Sequence, residues 1–202
     1  ITEVAASPDF APTRAVTTKG YTNATHWLRL ELAPNPTRDH LVLTVGVPNL
    51  DEVTLFVRKA GAGWTSSTSG DRIAYADRPW QSQQIGFRLQ DAADTTAEPS
   101  DGPDRPQTVF LRVRTIGTSA MLVNVAPESA VYSDQARLGV IHAVFYGLMM
   151  TAMIIAIGLY IYAGDAVLLW FLASQGVYTL MTLSFAGYVS VLFPTTPTHA
   201  LT

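Results

Sequence analysis

A short polar and aromatic segment, YADRPW at residues 75–80, has the side chains that a sugar-binding site needs. Asp77 and Arg78 could form charge-assisted hydrogen bonds with hydroxyl groups. Tyr75 and Trp80 could stack on the C–H faces of a sugar ring. The alternative is structural: Asp77 and Arg78 pair with each other to brace a loop, and Trp80 fills one end of a β-sandwich.

Charged side chains at outward positions of predicted strands form a second candidate surface: Arg29, Glu31, Arg58, Arg112 and Arg114. Arg29 and Arg112 could bind a ligand carboxylate through bidentate hydrogen bonds. The alternative is a solvated face with cross-strand pairs between Glu31 and the arginines. Trp64, in a segment predicted as a Gly-rich loop, is a further residue on which a sugar could stack.

No catalytic, metal or cofactor site is predicted. The chain has no cysteine, and its four histidines are scattered without metal-ligand spacing: His26, His40, His142 and His199. Residues 91–106 hold five acidic residues and three prolines with almost nothing apolar, which predicts a solvated loop. A calcium site is the alternative there, but the acids do not follow the alternating pattern of a calcium loop.

Strands are needed to position these side chains, and residues from about 25 to 127 show the period-two alternation that predicts them. Leu28, Leu30 and Leu32, for example, alternate with polar or aromatic neighbours. Each strand has one apolar face, so two sheets must pack face to face. The pattern predicts an all-β sandwich of jelly-roll type over residues 21–134, preceded by a loosely docked arm at residues 1–20.

The last third of the chain is almost free of charge. All 13 Lys and Arg residues lie at or before Arg137, and Asp165 is the only formal charge after Gly139. The uncharged runs at residues 140–163 and 166–193 are long enough to cross a bilayer, which takes roughly 20 residues. They predict a transmembrane helical hairpin; the alternative is a pair of buried helices in a soluble protein. A weakly polar stripe on the second run is expected to pack against other helices, or alternatively to line a ligand or ion path: Ser174, Tyr178 and Thr182, with Gln175 beside them.

Several segments occur in an order that resembles a known receptor family: WLRL at 27–30, LTVGVPNLDEVTLFVR at 43–58, SGD at 69–71, DRP at 77–79, VFLRVR at 109–114, and QARLG at 135–139 before FYG at 145–147. Over about residues 20–193 the chain resembles the seven-transmembrane receptors with diverse intracellular signalling modules (7TMR-DISM), with their type-2 extracellular domain. The resemblance implies a periplasmic jelly roll similar to carbohydrate-binding modules, then seven helices, of which residues 135–202 would hold the first two. It also implies a cytoplasmic output such as a histidine kinase or a diguanylate cyclase.

The sequence therefore predicts a periplasmic ligand-sensing domain and the first helices of a bacterial signal-transduction receptor in the cytoplasmic membrane. Expected partners are the lipid bilayer, a carbohydrate or other small periplasmic ligand, and a second copy of the chain. Nucleic acid is not expected, because the net charge is −3. The alternative is a membrane-anchored protein-interaction or dimerisation module without a small ligand. A tethered glycan hydrolase would need an acid/base pair that the sequence does not place.

Overall fold

A computed structural model describes residues 1–12, 16–21, 24–33, 40–46, 49–59, 63–89, 107–116 and 118–197. After a short helix α1 (Thr2–Ala5), eight strands are described: β1 (Val16–Tyr21), β2 (His26–Leu32), β3 (Leu41–Val45), β4 (Glu52–Lys59), β5 (Gly63–Ser69), β6 (Ile85–Arg88), β7 (Gln107–Arg114) and β8 (Thr118–Pro127). The predicted acidic loop at residues 91–106, with its calcium alternative, lies outside the described residues.

The strands form two four-stranded sheets in which every pair is antiparallel. The first sheet has the order β1-β8-β3-β6 and the second has the order β2-β7-β4-β5. Two antiparallel sheets followed by two long apolar helices confirm the predicted sandwich and hairpin.

The core lies between the sheets and consists of the alternating apolar residues that the strand pattern predicted. Leu43 and Phe87 of the first sheet and Leu55 and Leu111 of the second sheet are almost fully buried. Each such side chain stabilises the fold by about 1.5–3 kcal/mol relative to an exposed one. The half-buried leucines of β2 close one side of this core.

Two strands were not predicted, and both lie at sheet edges. Trp64 lies in β5, not in a loop, and among the described strands its strand is an edge strand paired with β4. The sequence GWTSSTS has no apolar alternation, because small hydroxyl residues occupy its inward positions: Thr65, Ser67 and Ser69, which pair with Val57, Leu55 and Val53. β1 lies within residues 16–21, which overlap the predicted N-terminal arm, and pairs only with β8.

Three further helices follow β8 directly: α2 (Glu128–Ala163), α3 (Ala166–Phe185) and α4 (Tyr188–Leu192). Gly164 ends α2 in the left-handed conformation (φ 67°), and the Asp165 side chain caps α3 by accepting a hydrogen bond from the Val167 N–H at 2.9 Å. The second predicted span, residues 166–193, is not one helix. It breaks at Gly187, which has a φ of 79° that side-chain-bearing residues rarely adopt.

α2 and α3 expose apolar side chains over most of their surfaces. Only 6% of the most apolar window of α2 is buried, and none of that of α3. Trp170, for example, is 78% exposed. A core helix of a soluble protein would bury such side chains, whereas a lipid-facing helix exposes them. The described part of the chain therefore has two helices suited to crossing a membrane.

Candidate functional site

The outer side of the second sheet has four aromatic rings, from one residue in each strand, which we call the aromatic face: Trp27, Phe56, Trp64 and Phe110. The Trp27 and Phe56 ring centroids are 5.4 Å apart, and Trp64 meets Phe110 edge-on, also at 5.4 Å. Phe110 is only 2% exposed, and Phe10, from the N-terminal segment, packs on it with ring centroids 5.8 Å apart. The other three rings are half-buried and offer apolar surface to a ligand.

The predicted arginines Arg29 and Arg112 border the aromatic face. Arg29 forms an ion pair with Glu31 of its own strand at 3.6 Å, and its guanidinium carbon lies 5.4 Å from the Phe10 ring centroid. Arg112 donates hydrogen bonds to the Glu52 carboxylate and, at 3.3 Å, to the Thr54 hydroxyl. The pair between neighbouring strands thus involves Glu52 instead of Glu31.

The segment at residues 75–80 lies away from the aromatic face, between β5 and β6. Tyr75–Asp77 forms one 3-10 turn with Asp77 exposed. Arg78 is 5% exposed and donates from Nε to the Ile73 carbonyl at 3.2 Å. Burial lowers the pKa of Arg78, and Coulombic attraction to Asp71 opposes this effect. Arg78 is therefore enclosed in the fold rather than presented to solvent.

Trp80 has a packing role. It is 2% exposed and clusters with Val42 and Val131. Its ring lies 5.2 Å from the ring of Tyr132 in α2, and the Arg88 guanidinium carbon lies 5.0 Å from its centroid. A sugar could stack on Trp80 only after displacing one of these neighbours.

These contacts belong to a larger connection, which we call the coupling joint: Trp80, Ser82 and Arg88 of the sandwich with Glu128, Tyr132 and Gln135 of α2. Arg88 forms an ion pair with Glu128 at 3.0 Å, and Gln135 donates to the Ser82 hydroxyl at 2.7 Å. Of these residues, only Trp80 was a candidate from the sequence. The signal for the others was weak: the apolar pair Val131 and Tyr132 in a polar run ahead of the span.

Two backbone hydrogen bonds strengthen the connection between the sandwich and the helices. The Glu128 N–H donates to the His40 carbonyl at 2.8 Å, and the Ala76 N–H donates to the carbonyl of Pro194, beyond α4, at 3.0 Å. Residues 75–80 are therefore close to both the first and the last described membrane-domain segments. A cavity of about 410 Å³ next to the joint is lined by Gln84 and Val131, and not by residues 75–80.

The seven predicted site residues thus fall into two groups. Trp64, Arg29 and Arg112 share the second sheet, whereas Trp80 is part of the coupling joint and Tyr75, Asp77 and Arg78 lie beside it. Among the described residues, no group of three or more His, Asp or Glu side chains could hold a metal ion. The arrangement fits noncovalent binding on one sheet and mechanical connection at the joint.

Comparisons with known proteins give one match. No curated protein and no solved structure matches the chain. A family model described as 7TMR-DISM extracellular 2 matches residues 1–126, which include all but the last residue of the sandwich. The chain therefore belongs to the 7TMR-DISM extracellular 2 family, and consists of a sensor-type extracellular domain followed by two apolar helices suited to crossing a membrane.

Proposed function

We propose that this chain is the ligand-sensing domain and the first membrane helices of a bacterial signal-transduction receptor. The sandwich lies in the periplasm, the helices lie in the cytoplasmic membrane, and a histidine kinase or diguanylate cyclase of the parent protein gives the output. The observation that carries the proposal is the coupling joint, because it fixes the first turns of α2 to the sandwich. A change in the sandwich is thereby transmitted to a membrane helix.

The sandwich is proposed to be a jelly roll similar to carbohydrate-binding modules. The strand orders β1-β8-β3-β6 and β2-β7-β4-β5 support this topology. Consecutive strands mostly change sheet, as in a chain wound around both layers, and two four-stranded antiparallel sheets are the usual jelly-roll arrangement.

The proposed ligand is a carbohydrate that binds on the aromatic face. Trp27 and Trp64 offer half-exposed rings to the C–H side of a sugar, and Arg29 and Arg112 offer guanidinium groups at the border. Phe10 covers part of this face, so a ligand that displaces the N-terminal segment would also change how that segment packs. Signalling requires that the ligand bind two helix arrangements with different affinity.

The test is a screen of oligosaccharides by thermal shift, followed by calorimetry, on the whole chain in detergent micelles. We expect Trp64→Ala to weaken a glycan hit at least about tenfold, that is about 1.4 kcal/mol. Tyr75→Ala, at the other predicted location, is the matched control and should leave the affinity unchanged. If no glycan binds, or if only Tyr75→Ala weakens binding, the assignment to the aromatic face is wrong.

A second candidate function, protein interaction or dimerisation without a small ligand, is favoured by one observation. The aromatic face is the face of a sheet, and a peptide segment of the chain itself already packs on it through Phe10. A segment of a partner could take the same position. Light scattering of the chain in detergent distinguishes the two functions. A wild-type dimer that becomes a monomer in Trp64→Ala, together with the absence of glycan binding, favours the second function.

A further inference from the structure

The cavity of about 410 Å³ beside the coupling joint lies between α2 and the outer side of the first sheet. On the sheet it is lined by Leu122 and Asn124, whose neighbours Val123 and Val125 pack against the core on the other side. On α2 it is lined by Asp134, Arg137 and Ile141, among others. Its volume lies within the range of about 300–1,000 Å³ that is typical of ligand sites.

The lining changes from charged to apolar in the direction of the membrane. Asp134 comes first along α2, Arg137 follows one turn later, and Leu138 and Ile141 come last. Ile141 belongs to the uncharged run at residues 140–163, so this end of the cavity lies at the bilayer surface. Leu122, Leu138 and Ile141 are each about half exposed, although they are apolar.

The two charged side chains are available to a ligand. In the described part of the chain, no side-chain hydrogen bond or ion pair is found for Asp134 or Arg137, and both are exposed. They are three residues apart in the helix, which places them about 4.5 Å apart along its axis. A molecule with a cationic and an anionic group at that spacing, and an apolar part beyond the anion, would match the cavity.

We propose that this cavity binds the headgroup of a membrane phospholipid that carries a primary amine, as phosphatidylethanolamine does. Arg137 donates hydrogen bonds to the phosphate, and Asp134 accepts one from the ammonium group, which lies two carbons further from the bilayer. Leu122, Leu138 and Ile141 contact the glycerol and the start of the acyl chains. The ammonium group, the phosphate and the acyl chains follow one another towards the bilayer, in the same order as Asp134, Arg137 and Ile141 along α2. The bound lipid fills the gap between α2 and the first sheet and so stabilises the coupling joint.

The experiment measures lipid binding to the whole chain by native mass spectrometry and by thermal shift, with phosphatidylethanolamine, phosphatidylcholine and phosphatidylglycerol as probes. Phosphatidylcholine has no N–H donors on its cation, and phosphatidylglycerol has no cation. We expect binding of phosphatidylethanolamine to be at least about tenfold tighter than binding of either of the others. Equal binding of the three lipids would overturn the proposal.

Variants identify the site. Asp134→Asn and Arg137→Gln change exposed side chains, so both variants should fold, and each should remove the preference for phosphatidylethanolamine. Arg58→Gln is the control. Arg58 is an exposed arginine near the end of β4 that is remote from the β3–β4 connection, and this variant should bind as the wild type does. The exchange of Asp134→Arg with Arg137→Asp keeps the net charge and should still abolish the preference. If the exchanged variant binds normally, general electrostatic attraction explains the binding instead.

A final arm distinguishes a lipid from a soluble ligand of the same chemistry. Free phosphoethanolamine has the two charged groups and lacks the acyl chains, so it should bind at least about a hundredfold more weakly than the lipid. If it binds equally well, the site takes a soluble zwitterion and the lipid assignment is wrong. Neither result depends on glycan binding at the aromatic face.

Discussion

Replacement of Trp80 by alanine tests whether the coupling joint holds the sandwich and α2 together. The ring is 2% exposed and is enclosed by Tyr132, Arg88 and Gly86. Its removal leaves a cavity, and buried aromatic residues cost about 3–5 kcal/mol when they are replaced by alanine. The ring pair with Tyr132 accounts for about 0.5–1.5 kcal/mol of this loss. At about 2–4 °C per kcal/mol for a chain of this size, we expect the Tm to fall by roughly 10 °C.

The assay uses the whole chain in detergent micelles, with thermal unfolding followed by near-ultraviolet circular dichroism and with hydrogen exchange followed by mass spectrometry. In Trp80→Ala, amides at residues 128–135 should exchange faster because Tyr132 and Val131 lose their contact with the sandwich. Amides deeper in α2, at residues 145–160, should keep their protection because no contact with Trp80 supports them. The Tm and the exchange pattern therefore report the stability of the fold and the integrity of the joint separately.

Trp64→Ala is the matched control for this variant. Trp64 is half-buried in an edge strand and has one ring contact, with Phe110, so its loss should cost only about 1–2 kcal/mol. Exchange at residues 128–135 should be unchanged in this control. If Trp80→Ala lowers the Tm no more than Trp64→Ala does, or if its exchange at residues 128–135 equals that of the wild type, Trp80 does not hold α2 to the sandwich.

Two further predictions concern the surroundings of Trp80. Gly86→Ala would place a Cβ 2.7 Å from Trp80 Cδ1, so we expect a loss of about 1–3 kcal/mol in urea unfolding. Gly147→Ala should cost nothing, because outside the local backbone of its own helix the added Cβ would meet no atom within 4 Å. Equal effects of the two variants would contradict the packing argument. A double-mutant cycle with Arg88→Ala and Glu128→Ala should give a coupling energy of about 0.2–1 kcal/mol. The energy is small because the two side chains are 41% and 23% exposed, so that solvent screens the ion pair. A coupling energy above about 2 kcal/mol would show that solvent does not screen the pair.

The fold was predictable where burial imposes a period on the sequence. Leu55 and Leu111 occupy neighbouring inward positions of two adjacent strands, and both strands were found from their alternation. Strand β5 was not found, because an edge strand of Thr and Ser satisfies its backbone hydrogen bonds without an apolar face. The break at Gly187 was not found either, because a glycine within an apolar run is compatible with a helix until its φ is known.

The candidate site was predictable only in part, because the order of strands in a sheet cannot be read from one sequence. Arg29 and Phe110 are neighbours only because β2 pairs with β7, and Phe110 and Phe56 only because β7 pairs with β4. The aromatic face therefore emerges from strand pairing, although each of its residues was visible in the sequence. The same limit applies to Trp80, whose partner Tyr132 lies beyond three further strands.

The relative strength of the contacts around residues 75–80 determines how a sensing event would reach the helices. Coupling between ligand sites is typically about 1–3 kcal/mol. The coupling joint combines the Trp80–Tyr132 ring pair, worth about 0.5–1.5 kcal/mol, with the Arg88–Glu128 ion pair and the Gln135–Ser82 hydrogen bond. Because several contacts act together there, we expect ligand binding to leave the coupling joint intact, so that the sandwich and the first turns of α2 move as one body. The backbone hydrogen bond from Ala76 to Pro194 is worth about 0.5–1.5 kcal/mol, which a ligand can overcome. Under the proposed sensing function, the hydrogen bond between Ala76 and Pro194 is the contact that changes. The transmitted motion is then a displacement of α2 relative to the segment after α4.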